Sequence, residues 1–299
     1  MIRYPVSLEK IEADIEIQAR GWRRRTQRRT DGFVRLGRYE EKSSAWDQVK
    51  PVYMKLQYNK CIYCEQQLEG GPRGKINHDL EHFRPKSSVG VWPRPSDEPL
   101  SFPTGDPIDP GYYRLAYHPG NYATSCKPCN SLLKLNFFPI TRTRITDGEN
   151  PEDYAAERPY LPYPIGPIAE ENAGDEDPER LITFVFSDDG PLAVPRYTED
   201  ENPVRYRRGL VAVRFFDLNR ADLLYSRAFV LLAVWETFKN AERGDPGSVR
   251  RLEIYTSPRA PHTSCSRCFV AFCRSLDRGD IERHYLPILE RIVYENNAG

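Results

Sequence analysis

His78-Asp79-Leu80-Glu81-His82-Phe83-Arg84-Pro85-Lys86 stands between two Cys-x-x-Cys pairs, Cys61/Cys64 upstream and Cys126/Cys129 downstream, and the second pair runs directly into Asn130. Each pair has the spacing that lets a knuckle turn aim two thiolates at one ion. Together the two pairs complete a tetrahedral set without an open position, the donor set of a structural Zn²⁺. Such sites contribute on the order of 10 kcal/mol to the folding of isolated zinc peptides, which suits a loop-rich segment. The 61 residues between Cys64 and Cys126 exceed the spacing of an ordinary zinc ribbon, so the spacing gains its meaning from the residues in between.

Those residues carry a second chemistry. A Glu-His pair, Glu81-His82, and an Asn at position 130 are oxygen and nitrogen groups of the kind that Mg²⁺-assisted phosphodiester hydrolysis needs. Asp79 shares the strand face of Glu81 and is a secondary metal-ligand candidate, while His78 shares the face of His82 and is a candidate for a supporting or substrate-facing role. Adjacent strand residues point to opposite faces, so a strand using both Glu81 and His82 is expected to bend there, with Pro85 just beyond. Arg84, Lys86 and Lys134 flank these residues and are candidate phosphate contacts. His118 precedes the second knuckle and is a candidate to line the cleft.

With these residues in place, the chain resembles the HNH endonuclease family, whose ββα-metal fold puts an acid-His dipeptide on its first strand and a His or Asn at the start of its helix. Glu81-His82 matches the dipeptide, Asn121 the central Asn, and Asn130 the third position. Asn stands there in place of His, and a carboxamide oxygen remains a competent Mg²⁺ ligand. The four cysteines match the zinc-bearing branch of the family. The matching motifs run from Cys61 to about Pro139, roughly a quarter of the chain. The wider pattern, Cys-x-Tyr-Cys-Glu, Glu-His-Phe-Arg-Pro-Lys and Asn-Tyr-x-x-x-Cys-x-x-Cys-Asn-x-x-x-Lys, is similar to HNH nucleases of prokaryotic antiphage defence, of the Septu type or encoded beside retrons.

The resemblance implies a division of roles. His82 is the expected general base, because imidazole titrates near neutrality. Glu81 and Asn130 are the expected ligands of one Mg²⁺ or Mn²⁺, and Asn121 is the scaffold residue that keeps His82 in one orientation. Nucleases of this kind are commonly paired with an ATPase, so an ATPase partner or a homo-oligomer is implied as well.

The chain has 299 residues, 39% hydrophobic and 29% charged, with a formal net charge of zero. No global basic field therefore holds nucleic acid, and local asymmetry must supply the attraction. Between Arg20 and Arg38 stand eight arginines, among them Arg23, Arg24, Arg25 and Arg28, against Asp31 alone. Trp22 and Phe33 are interleaved with them, a mixture suited to stacking and phosphate contact. A partner interface is the competing use of the same segment. From Glu149 to Glu201 the sign reverses, with fifteen acids against Arg158, Arg180 and Arg196. This stretch is expected as a solvated loop lying away from any nucleic-acid cleft. Seven cysteines, four of them in metal spacing, fit a reducing cytoplasm, and neither the N-terminus nor the run Phe229 to Trp235 has signal-peptide or membrane-spanning length.

The expected fold class is α+β: an HNH ββα-metal core with a four-Cys zinc site, flanked by mainly helical N- and C-terminal regions. Three regions are expected: 1–58 with the Arg-rich segment, 59–146 with the nuclease core, and 147–299 with an acidic Pro-rich linker and helices. Ser7 should open a helix bearing Leu8, Ile11, Ile15 and Ala19, and Ser44 through Leu56 a second, with the arginine run between them. Eight prolines make Pro85 to Pro119 an irregular excursion, and Pro151 to Pro178 a linker or draped segment. Leu181 to Phe186 is a strand candidate, followed by helices over Ala221 to Glu242, Cys265 to Leu276 and Ile281 to Tyr294. Cys265, Cys268 and Cys273 admit a second metal site or one apolar helical stripe. The expected function is hydrolysis of DNA, with RNA admitted by the same residues. The alternative is a non-catalytic zinc-stabilised module that binds nucleic acid or docks on an ATPase.

Overall fold

The computed structural model describes residues 1–70, 77–166 and 177–295. The chain is mixed helix and sheet, and it divides into two compact units, 4–62 with 68–176, and 1–3 with 63–67 and 177–299. The N-terminal helices and the Pro-rich segment after residue 147 share one core with the motif region.

In the first unit, α1 (Leu8–Gln18) starts where Ser7 accepts a hydrogen bond from the Lys10 amide, and it buries Ile11 and Ile15. The arginine run is itself a helix, α2 (Trp22–Leu36), bounded by Gly21 and Gly37, both in the left-handed conformation. Trp22, Thr26 and Phe33 fall on one stripe and are buried, so the arginines sit on the flanks and the outer face. The segment Ser44 to Leu56 divides into a 3₁₀ turn, Trp46–Gln48, and α3 (Lys50–Leu56).

β1 (His78–His82) pairs antiparallel with β2 (Tyr122–Cys126), in the register Asp79 to Ser125, Glu81 to Ala123 and His82 to Tyr122. The outer edge of β2 is covered by Gln57, whose amide accepts from the Thr124 N–H and donates to the Thr124 carbonyl. A π-helical segment, Pro128–Lys134, follows β2 directly. The connection between the strands is irregular, as its prolines dictate, apart from short 3₁₀ turns such as Tyr113–Leu115 and an isolated bridge between Val89 and Ile108.

The segment expected as an acidic linker instead packs inward. Pro151–Glu157 is a 3₁₀ helix with Tyr154 and Glu157 buried, and Tyr160, Leu161 and Ile165 add apolar surface to the core. Glu170, Glu171, Asp175 and Glu176 of the acidic stretch lie outside the described residues.

In the second unit, β3 (Ile182–Ser187) and β4 (Gly190–Pro195) form a hairpin, followed by α4 (Pro203–Phe215), α5 (Ala221–Glu242), α6 (Pro246–Thr256), α7 (Thr263–Ser275) and α8 (Leu286–Glu295). Among the described residues no helix is long and apolar enough to cross a membrane.

Candidate functional site

The hairpin and the π-helical segment bring the motif residues to one cavity of about 270 Å³, lined by Trp46, Asp79, Glu81, His82, Lys86 and Asn130 among others. β1 stays regularly paired through His82, so the expected bend at Glu81-His82 is absent. None is needed, because His82 is the last residue of β1 and the cavity wraps over the strand end, where both faces reach it.

His82 is buried between two rings, Trp46 at 4.9 Å and Tyr122 at 5.0 Å, each edge-on. Its Nε2 lies 3.0 Å from the Ala116 carbonyl oxygen. A carbonyl only accepts, so Nε2 carries the proton and Nδ1 is left as the acceptor of a neutral ring. Burial, followed by the charge of Lys86, pushes the His82 pKa well below its ordinary value. Both effects favour the neutral ring.

Glu81 is buried, and its carboxylate meets the Lys134 ammonium at 2.6 Å. Lys134 also donates to the His82 carbonyl at 3.0 Å, so one side chain braces two consecutive residues. Burial raises the Glu81 pKa, against the opposing pull of Lys134. Asp79 accepts from Lys127 at 2.7 Å, from Asn130 Nδ2 at 3.0 Å and from Ser131 at 3.3 Å. Burial works to raise the Asp79 pKa, but the hydrogen bonds from Lys127 and Asn130 outweigh it and hold the group below the usual carboxylate range. Asn130 thus spends its amide N–H on Asp79, which leaves its Oδ1 as an acceptor.

Asn121 lies outside the cavity lining and braces the strand exit. Its Oδ1 accepts from the Arg84 N–H at 2.8 Å, and its Nδ2 donates to the carbonyls of Arg84 at 3.0 Å and Leu115 at 3.2 Å.

Two phosphate-contact candidates are buried and paired with carboxylates. Arg84 is buried, paired with the fully buried Glu157 and enclosed by the rings of Tyr112, Phe138 and Tyr154 at 4.7 to 5.1 Å. Lys134 is fully buried on Glu81. Neither cation faces solvent. Lys86 does line the cavity, over the rings of Trp46 and Tyr39.

On α2, Arg24 and Arg28 are exposed, whereas Arg23 pairs with Glu12 at 3.1 Å and Arg25 binds the Arg20 carbonyl and Gln48. Arg29 is tied to Glu41 and to Tyr117. Arg23 and His118 line a separate cavity of about 340 Å³ with Arg114 and Glu149, so His118 is not beside His82. Burial, then Arg23, pushes the His118 pKa down to about 4. His78 is buried with Nε2 on the Glu69 carbonyl at 3.0 Å, also outside the cavity lining.

The Sγ atoms of Cys61, Cys64, Cys126 and Cys129 all lie within 4.8 Å of one another, and all four residues are buried. Thiolates 2.3 Å from a tetrahedral zinc would be about 3.8 Å apart, so the cluster can hold one metal ion. It is the one such group of His, Cys, Asp or Glu among the described residues. Cys265 and Cys273 are buried on α7, and burial pushes both thiol pKa values up, as for small apolar side chains. His262 Nε2 lies 2.7 Å from the Ser226 hydroxyl.

The chain is similar to the Septu protein PtuB of Bacillus mycoides (strain KBAB4). The two are 26% identical over 184 residues, 62% of this chain and 51% of that protein. The chain thus spans about half the length of the curated relative it matches. No family model and no solved structure matches it.

Trp46 and Tyr39, the rings beneath Lys86, were not singled out by the sequence. Aromatic residues outside a motif carry no local signal of where they pack.

Proposed function

We propose that the chain is an HNH-type, metal-dependent endonuclease acting on DNA phosphodiester bonds in a prokaryotic antiphage defence system. One observation carries the reading: a neutral His82, with Nε2 spent on a carbonyl, shares a cavity with the carboxylates of Asp79 and Glu81 and the carboxamide of Asn130. This donor set of hard oxygens fits Mg²⁺ or Mn²⁺. Held by Glu81 and Asn130, with Asp79 alongside, such an ion would neutralise charge on the phosphate and on the leaving oxygen.

The protein's own groups do the rest. His82 takes the proton of the attacking water at Nδ1. Ala116 fixes the tautomer, and Asn121 fixes the backbone just beyond the base. Lys134 favours the charged form of Glu81 against the effect of burial and holds it in place. The four cysteines fit Zn²⁺ and would secure the segments on which Asn130 and β2 stand. The similarity to a Septu protein supports the defence assignment, and the ATPase partner implied by the resemblance to antiphage HNH nucleases is part of this proposal.

Two measurements test the reading. Incubation with supercoiled plasmid, single-stranded DNA and RNA should give products with Mg²⁺ or Mn²⁺ and none with EDTA. Intact substrates under every condition would leave the docking-subunit alternative in its place. Metal analysis of the folded chain should find about one zinc per molecule, and well-folded protein without zinc would refute the thiolate site.

A further inference from the structure

Three lysines surround the cavity of Glu81 and His82, and two of them are committed. Lys127 pairs with Asp79 at 2.7 Å and Lys134 with Glu81 at 2.6 Å. Lys86 is held differently. Among the described residues it forms no ion pair and donates no hydrogen bond, and its ammonium rests over Trp46 and Tyr39, 4.8 and 5.1 Å from the ring centroids. An aromatic face attracts a cation through its quadrupole and leaves the charge unneutralised. All three N–H donors of Lys86 therefore stay available to an anion in the cavity.

The backbone around Lys86 is fixed on both sides. The Pro85 carbonyl accepts from the Tyr112 N–H at 2.9 Å, and the Ser88 carbonyl accepts from Asn136 at 2.9 Å. Gly111 packs so closely beneath that a Cβ there would stand 1.5 Å from the Ser87 carbonyl oxygen. Partial burial strips the ammonium of water and lowers its pKa, with Glu81 opposing, and a phosphate oxygen would restore the lost hydrogen bonding.

We propose that Lys86 is the phosphate anchor of this cavity, taking a nonbridging oxygen of the phosphodiester attacked beside His82, an inference that rests on the hydrolase reading above. In that step the water oxygen bonds to phosphorus and its proton passes to His82. The P–O3′ bond breaks, its electron pair leaves on the 3′ oxygen, and that oxygen takes a proton from water. Charge builds on the nonbridging oxygens as the phosphate becomes pentacovalent, and Lys86 meets it with a preformed donor.

The test compares the unaltered chain with Lys86→Gln and Lys86→Arg in single-turnover cleavage, with Mg²⁺ or Mn²⁺ and saturating nucleic acid. Lys86→Gln should slow cleavage by about 100-fold or more, with its melting midpoint kept, and Lys86→Arg should recover part of the rate. Unchanged cleavage by a folded Lys86→Gln would overturn the proposal. If the unaltered chain cleaves nothing, the hydrolase reading fails, and binding decides Lys86 by itself. Inorganic pyrophosphate followed by ³¹P NMR should then bind the unaltered chain and not Lys86→Gln, and equal binding by both would overturn the anchor.

Discussion

At the scale of single residues, the cations around the site sort by what they touch. Arg84 and Lys86 stand two positions apart in one motif, yet Arg84 turns into the core onto Glu157 while Lys86 turns into the cavity. A buried pair loses far more from the removal of one partner than it gains by existing, because the other charge is left without compensation. Arg84→Met should therefore cost about 3–5 kcal/mol of stability, read as a lower denaturant midpoint, with unchanged salt dependence of nucleic-acid binding. A stable Arg84→Met with a shallower salt slope would show that this guanidinium contacts phosphate. In the sequence both residues are simply basic neighbours of a Glu-His pair. What separates them is Glu157, 73 positions away, which no local pattern connects to Arg84.

At the scale of elements, α2 has two arginine populations. Arg24 and Arg28 are one turn apart on the exposed face, whereas Arg29 is fastened to Glu41, the Ser43 carbonyl and Tyr117. Each phosphate contact contributes about 0.9 to the slope of log K against log salt on duplex DNA. The double variant Arg24→Gln, Arg28→Gln should flatten that slope by up to about 1.8 and leave the melting midpoint unchanged, while Arg29→Gln should lower the midpoint. Loss of partner association with an unchanged slope would make α2 a docking face instead. The helix was hidden in the sequence because its apolar stripe is only Trp22, Thr26 and Phe33 among arginines, and its ends are glycines. α1 and α5 were legible because Ser7 caps the one and Leu223, Trp235 and Phe238 recur on the buried face of the other.

At the scale of the whole molecule, the parts readable from sequence are those whose chemistry is local. Paired cysteines, the Glu-His dipeptide, Asn130 and the hairpin strand after Leu181 each declare themselves within a few residues. The parts not readable are aperiodic. Pro151–Glu157 enters the core by a 3₁₀ turn with Tyr154 and Glu157 buried, and a proline-rich acidic stretch gives no periodicity from which to foresee that. The rings beneath Lys86, Trp46 and Tyr39, come from a segment far from the motif in sequence and meet it only in the fold. The proposed role of a neutral His82 is to activate water in a metal-dependent hydrolysis. Single-turnover cleavage by His82→Gln, whose amide can still donate to the Ala116 carbonyl, should run about 100-fold or more below that of the unaltered chain in Mg²⁺ or Mn²⁺, with nucleic-acid affinity retained. Cleavage by His82→Gln as fast as the unaltered chain would show that His82 is not the base.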